Sequence, residues 1–425
     1  MLPFTPCVAI FLTLAGMVRG AEPDFSAYEK KVPWVVGPEK VAAASKGKSQ
    51  SNFAEDKVPA WTLPELLATK DGQPITTSAE WMQHRGELLE TFRNEMFGVA
   101  PPRPDDLTFE QIELNSQAMD GAATLKRVLV KFSVGGKPFS FHLTLFMPNK
   151  RTGPAPVFLL LNHRAAENTD PTREKKFEFW PAEYVISRGY AMAAINVAAE
   201  VDPDKKAATT GVRAFYREHH PEATQFTWGT LAAWAWSGSR GVDYFVTDRD
   251  IDAQRIAVIG HSRTGKTALW AAAQDERFAL ACVNGAGEGG PALARRHFGE
   301  TLGQITKNFP YWFTPKYASY AERIDELPID SHQLIALVAP RGYHGGDGSG
   351  DLWADPQGAW LALVKASRVW SLFDKAGPLK DEMPLLNDLL VRGPLAYHIH
   401  EGGHALTTFD WKLYVDHAEQ LFGKY

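Results

Sequence analysis

Between Arg255 and Trp270 the chain reads Arg-Ile-Ala-Val-Ile-Gly-His-Ser-Arg-Thr-Gly-Lys-Thr-Ala-Leu-Trp, and no other stretch restricts the fold as much. An apolar run from Ile256 to Ile259 leads into Gly260-His261-Ser262-Arg263-Thr264-Gly265, and a helical stretch follows. Strand, G-x-S-x-G and helix in that order form the context of a nucleophile elbow. The bend forces its serine into strained backbone geometry, and the flanking glycines keep side chains out of the crowded turn. Ser262 is therefore expected at the C-terminal edge of a sheet, above the start of a helix. There the Arg263 backbone N–H can donate to an oxyanion.

The rest of the chain supplies such a sheet. Lys126 to Val134 and Ser140 to Met147 read as strands joined by Gly135-Gly136-Lys137-Pro138, a hairpin signature, so the sheet is expected to open antiparallel. From Pro156 onward short apolar runs alternate with helical stretches. The runs are Val157 to Leu161, Ala191 to Val197, Ile256 to Ile259, Leu280 to Val283, Leu334 to Val338 and Leu395 to Ile399. Runs of this kind suit parallel strands buried on both faces, and Thr230 to Phe245 reads as a crossover helix between two of them. The fold class is α/β: an α/β-hydrolase fold with a mostly parallel central sheet, helices on both faces and an antiparallel start. Two polar or aromatic segments, Glu200 to Trp228 and His297 to Arg323, break the rhythm and are expected to wall the site.

The N-terminal part divides by composition. Val8 to Met17 is apolar, is too short to span a bilayer comfortably, and precedes the small residues of Val18-Arg19-Gly20-Ala21. Residues 1–20 are read as a cleaved leader, which makes the protein secreted or periplasmic with no membrane attachment in its mature form. Residues 21–100 are read as an N-terminal extension. Its first part, to about residue 60, looks loosely ordered, and a packing helix follows over Ser78 to Phe97, where Trp81, Leu88, Leu89, Phe92 and Met96 keep a helical period. Residues 101–425 form the catalytic domain. Loss of Cys7 with the leader leaves Cys282 as the lone cysteine, and the run Phe278 to Val283 makes it a core residue. The formal net charge of -5 on 425 residues gives no reason to expect a nucleic-acid partner. The adjacent His219 and His220 lack metal-ligand spacing, and no metal or organic cofactor is expected.

A serine nucleophile needs a base and an acid, and in this fold they follow it in the order acid, then histidine. His404, in His400-Glu401-Gly402-Gly403-His404-Ala405, falls after the last apolar run and before an amphipathic C-terminal helix, where the base belongs. His398 and His400 lie within the strand pattern and read as structural. The acid has more than one candidate: the loop after Leu334 to Val338 holds Asp347, Asp351 and Asp355, and Glu288 lies one strand earlier.

The stretch Gly260-His261-Ser262-Arg263-Thr264-Gly265-Lys266 resembles the glucuronoyl esterases of carbohydrate esterase family fifteen, the bacterial members above all. Further likeness lies in Gln274 to Ala279, Gly289-Gly290, Arg295-Arg296, Trp353-Ala354-Asp355-Pro356 and Gly402-Gly403-His404. The resemblance implies hydrolysis of the ester between 4-O-methyl-glucuronic acid on xylan and a lignin alcohol, so the expected partner is glucuronoxylan or a lignin–carbohydrate ester. It implies that Arg263 adds its guanidinium to the oxyanion hole. It also implies that Lys266, Glu300 and Trp353 bind the uronate, a polar set suited to a sugar and not to an aliphatic acyl chain. Where many family members carry N-E-S-G with the triad acid, this chain has Asn284-Gly285-Ala286-Gly287. Some bacterial members place the acid one strand later, in a stretch like Asp351-Leu352-Trp353, which selects Asp351 over Glu288. A monomer is expected. An acetyl-type carbohydrate esterase and a non-catalytic carbohydrate-binding homologue are the alternatives.

Overall fold

The computed structural model describes residues 23–205 and 209–423, so the expected leader and Cys7 lie outside the described residues. Among these described residues ten strands form one sheet: β1 (Thr108–Ala118), β2 (Ala123–Val134), β3 (Lys137–Pro148), β4 (Ala155–Leu161), β5 (Ala191–Ile195), β6 (Ile251–His261), β7 (Phe278–Asn284), β8 (Gly342–Gly348), β9 (Leu389–Arg392) and β10 (Leu395–His400). Their spatial order is β1-β2-β3-β5-β4-β6-β7-β8-β10-β9. β1 to β3 pair antiparallel, as the hairpin reading requires, and the six strands from β5 to β10 in spatial order pair parallel.

The continuous apolar runs are explained by burial on two sides. Val157, Leu159 and Leu161 of β4 point into a cluster with Trp234, Leu269 and Trp270, from the helices Thr230–Phe245 and Arg263–Gln274. Phe158 and Leu160, the alternate residues, point into a second cluster with Trp180, Trp411 and Tyr414 on the opposite face. Each such side chain, fully buried, stabilises the fold by roughly 1.5–3 kcal/mol. Cys282 on β7 belongs to the second cluster and is fully buried, in keeping with its sequence context.

One expected strand is absent. Leu334 to Val338 lies in and just after a buried helix, Ser331–Ala336, which Asp330 and Gln333 start with a reciprocal capping box. The strand that takes its place is β8, Gly342-Tyr343-His344-Gly345-Gly346-Asp347-Gly348, which carries no apolar signature. Its glycines are required by its neighbours. A Cβ on Gly345 would sit 2.8 Å from the Tyr397 ring, and one on Gly346 would sit 2.6 Å from the Tyr414 hydroxyl oxygen.

The N-terminal extension is also better ordered than its composition suggests. The helix Ser78–Phe92 buries Trp81, Leu88, Leu89 and Phe92, and Thr77 and Glu80 cap it. Upstream, Phe53 packs with Phe298 and Leu352, Asn52 bridges to Phe298, and the Trp34 indole donates to the Ser349 carbonyl at 3.1 Å. The extension thus braces the loops that follow β7 and β8.

β4 has β5 on one side and β6 on the other, so the connections leaving β4 and β6 diverge. In open parallel sheets the crevice at such a switch point is where ligands bind. Ser262 stands at that edge.

Candidate active site

Ser262 follows the last residue of β6 and precedes the helix Arg263–Gln274, with φ 59° and ψ -125°. That conformation is costly for a residue with a Cβ. Its N–H donates to the Asn284 carbonyl at 2.8 Å, which pins the turn to the end of β7. The elbow expected from G-x-S-x-G is therefore formed. Arg263 is the first residue of the helix, and an N–H in the first turn has no intrahelical acceptor.

His404 lies in the loop after β10, and its Nδ1 is 2.5 Å from Asp351 Oδ2. The imidazole is partly open, with 43% of its side chain exposed, whereas Asp351 is buried. With Nδ1 engaged by the carboxylate, Nε2 is left as the basic nitrogen. Asp351 follows β8, so its position relative to the sheet depends on the strand that the sequence disguised. Glu288 is elsewhere: it is buried and accepts from the Tyr317 hydroxyl at 2.9 Å. Burial pushes its carboxyl up to about 8. Asp347 accepts from the Tyr397 hydroxyl, and Asp355 pairs with Arg296 and caps the helix Pro356–Ala366.

Gly285 takes φ +52°, and a Cβ there would lie 3.3 Å from the His261 ring and 3.5 Å from His404 Cε1. The His261 ring, next to Ser262 in the elbow, the end of β7 and His404 thus converge on one small volume. A longer side chain at position 285 would begin against the imidazole.

The four remaining expected site residues surround this centre. Lys266 is buried in the first turns of the helix and its ammonium donates to the Ala286 carbonyl. Burial lowers its pKa, and the carboxylates of Glu300 and Glu288 oppose that shift. Burial raises the Glu300 carboxyl, opposed by Lys266, by a hydrogen bond from the Trp353 indole, and by Arg263. Backbone bonding holds Glu300 to Trp353, N–H to carbonyl, at 3.0 Å. The Lys48 ammonium lies 4.0 Å from the centre of the Trp353 ring, so the extension reaches this wall as well. The Arg263 guanidinium forms an ion pair with Asp204 and lies against Trp312 and Phe309.

Several neighbours were not singled out in the sequence. His261 is buried, bonds Asn284 Oδ1 through Nδ1 at 2.6 Å, and is pushed down to about 3 by burial, so it is neutral. Its ring centre is 4.5 Å from that of His404. His163, in the loop after β4, bonds the Thr264 hydroxyl at 3.1 Å, and burial likewise keeps it neutral. The signal for both was positional: one is inside the elbow and one follows a strand edge at the switch point. Asp204 carried no signal beyond its place in a polar insertion.

Among the described residues, His398, His400 and Asp410 are close enough to hold a metal ion. They are equally accounted for as a carboxylate paired with two imidazoles, of which His398 is hydrogen-bonded to it. Asp410 Oδ1 lies 2.8 Å from both His398 Nε2 and His400 Nδ1, and Oδ2 caps the C-terminal helix at Thr407.

Residues 130–374 match the family model described as glucuronyl esterase, fungi. A carbohydrate esterase from an unknown prokaryotic organism is 36% identical over 399 residues, which cover 87% of this chain and 91% of that protein. The 4-O-methyl-glucuronoyl methylesterase of Schizophyllum commune is 27% identical over 72% of each chain. Among solved structures, a glucuronoyl esterase from Solibacter usitatus superposes with TM-score 0.79 at 35% identity, covering 87% of this chain and all of the other.

Proposed function

Because the chain belongs to the glucuronoyl esterase family, we propose that Ser262 is its nucleophile, His404 its general base and Asp351 the carboxylate that orients the base. The protein is a carboxylic ester hydrolase, a carbohydrate esterase of glucuronate esters. The observation that carries the residue assignment is the 2.5 Å contact between Asp351 and His404 beside the strained Ser262 turn.

The reaction runs in two halves. His404 Nε2 takes the Ser262 hydroxyl proton as the serine oxygen attacks the ester carbonyl carbon. The oxyanion accepts from the Arg263 N–H and guanidinium, while Asp351 stabilises the imidazolium. The carbon–oxygen bond to the alcohol breaks, and the alcohol leaves with the proton from His404. Water then attacks the acyl-enzyme, again giving its proton to His404, and the free uronic acid departs as Ser262 is reprotonated. Lys266, Glu300 and Trp353 hold the uronate ring by hydrogen bonds to its hydroxyls. Nothing in this sequence of steps calls on a metal or a cofactor.

The natural ester is read as one joining (4-O-methyl-)glucuronic acid on xylan to a lignin alcohol, cleaved by a secreted or periplasmic enzyme. Its polar uronate set supports the substrate, and the apolar stretch Val8 to Met17 supports the export. Among the described residues no helix is long and apolar enough to cross a membrane.

The test is turnover of benzyl glucuronate by wild type and by Ser262→Ala, with mass spectrometry of the quenched wild-type reaction to detect the acyl-enzyme. Wild type should cleave the ester and Ser262→Ala should not. Undiminished turnover by Ser262→Ala removes Ser262 from the mechanism. Cleavage of an acetyl ester alone would point to the acetyl-type alternative. Binding of xylan oligosaccharides with no cleavage of either ester would point to a binding homologue.

A further inference from the structure

We infer that Asp204 is the residue that positions Arg263, fixing its guanidinium for the transition state from an insertion far from the elbow. The inference rests on the proposed role of Arg263 as an oxyanion donor.

Asp204 gathers donors from three directions. Its Oδ2 pairs with Arg263 Nη1, and its Oδ1 accepts from the Trp312 indole at 2.7 Å and from the Tyr311 hydroxyl at 3.0 Å. The pair is largely sheltered, with 29% of the Arg263 and 15% of the Asp204 side chain exposed. Two rings back the guanidinium. Phe309 and Trp312 stack at 3.8 Å, and Arg263 Cζ lies 4.9 Å from the Trp312 ring and 5.4 Å from Phe309. An aromatic face attracts a cation but leaves it free to turn. A carboxylate bound to one terminal nitrogen removes that freedom. Among the described residues the buried Arg263 Nε has no hydrogen-bond partner, so there the Asp204 ion pair is the polar contact that orients the guanidinium.

The loop that presents Asp204 is itself anchored. Asp202, two residues earlier, is fully buried and accepts from Arg213 Nε at 2.7 Å, while its carbonyl accepts from the Trp234 indole at 2.7 Å. Trp234 belongs to the crossover helix Thr230–Phe245, so the anchor reaches the core. Arg has a long, flexible stem, and fixing it before the reaction avoids reorganisation when charge develops. Asp204 also opposes the positive field of Arg263. The two effects have opposite signs on rate: loss of Asp204 would loosen the geometry and strengthen the field. The three-donor arrangement points to geometry as the larger effect.

The test uses the purified full chain with benzyl glucuronate and a chromogenic acetyl ester. It compares wild type, Asp204→Asn, Arg263→Gln and the double variant. Asp204→Asn should lower kcat about tenfold or more on both esters, because small misplacements of catalytic groups are costly. KM should stay within about twofold, as expected when only the transition state loses an interaction. Adding Asp204→Asn to Arg263→Gln should cost nothing further, and Asp204→Glu should recover part of the rate. Should Asp204→Asn fold poorly, Tyr311→Phe, which removes one donor to Asp204, should give a smaller kcat loss of the same kind. An unchanged or increased kcat in Asp204→Asn, or a loss that adds in full to that of Arg263→Gln, overturns the inference. Wild-type cleavage of the acetyl ester alone would sink the uronate reading and leave the Asp204 comparison intact on that ester.

Discussion

Asp351 Oδ2 and His404 Nδ1 lie 2.5 Å apart, joining the loop after β8 to the loop after β10, although 53 residues separate them in sequence. Glu288 is buried against Tyr317 and has no such relation to His404. Asp351→Asn should therefore lower kcat on benzyl glucuronate by roughly 10³- to 10⁴-fold, as loss of a histidine-orienting carboxylate does. Glu288→Gln should lower it by no more than about tenfold. Steady-state kinetics on the two variants side by side decide the matter, and a dead Glu288→Gln beside an active Asp351→Asn would reverse the assignment.

Glu288 has a consequence for stability instead. Burial raises its carboxyl from the ordinary value of 4.5 to about 8, so between those values the folded chain holds a proton that the unfolded chain has released. The folded state binds more protons there, and this group's contribution to stability declines as pH rises through that window. Glu288→Gln removes the titration. The melting temperature of Glu288→Gln relative to wild type should climb from pH 5 to about pH 8. A pH-independent difference would show that Glu288 is ionised throughout.

Glu300 tests the uronate wall. It is half-buried, accepts from the Trp353 indole and lies in the field of Lys266 and Arg263. Replacing a carboxylate acceptor by an amide should weaken a charged hydrogen bond worth about 1.5–3 kcal/mol. Glu300→Gln should accordingly reduce kcat/KM for glucuronate esters about ten- to hundredfold and leave a small acetyl ester almost untouched. Equal losses on both esters would place Glu300 outside sugar recognition.

Gly285 tests the packing behind the base. Its φ of +52° disfavours any other residue, and an added Cβ would sit tightly against the His261 ring at 3.3 Å and in ordinary contact with His404 at 3.5 Å. Gly285→Ala should cost about 1–3 kcal/mol in urea unfolding and should lower kcat through a shift of the His261 ring, whose centre lies 4.5 Å from that of His404. Full stability and full activity in that variant would mean the loop relaxes freely.

The parts of the fold that could be read in the sequence are those where burial dictates composition. The residues of β4 are buried on both faces and are apolar throughout, so the strand announces itself. The elbow does so because few residues fit its turn. β8 is hidden for the opposite reason: Tyr397 and Tyr414 occupy the space its side chains would need, and glycine carries no period. The run Leu334 to Val338 is ambiguous because a fully buried helix and a buried strand have the same composition, and the signal that separates them was the cap at Asp330. Around the site, Ser262 and His404 stand in local contexts that reveal them. Asp204 does not, because its partners Arg263, Tyr311 and Trp312 are distant in sequence and the contact exists only in three dimensions.

The bracing of the Trp353 wall by Lys48, Phe53 and Trp34 bears on how small the enzyme can be made. A minimal catalytic unit drawn at the first strand of the sheet, Thr108, would keep Ser262, His404 and Asp351 but would strip the backing from the wall beside them. On the proposed assignment, such a truncation would separate the machinery that breaks an ester from the surface that chooses which ester to break.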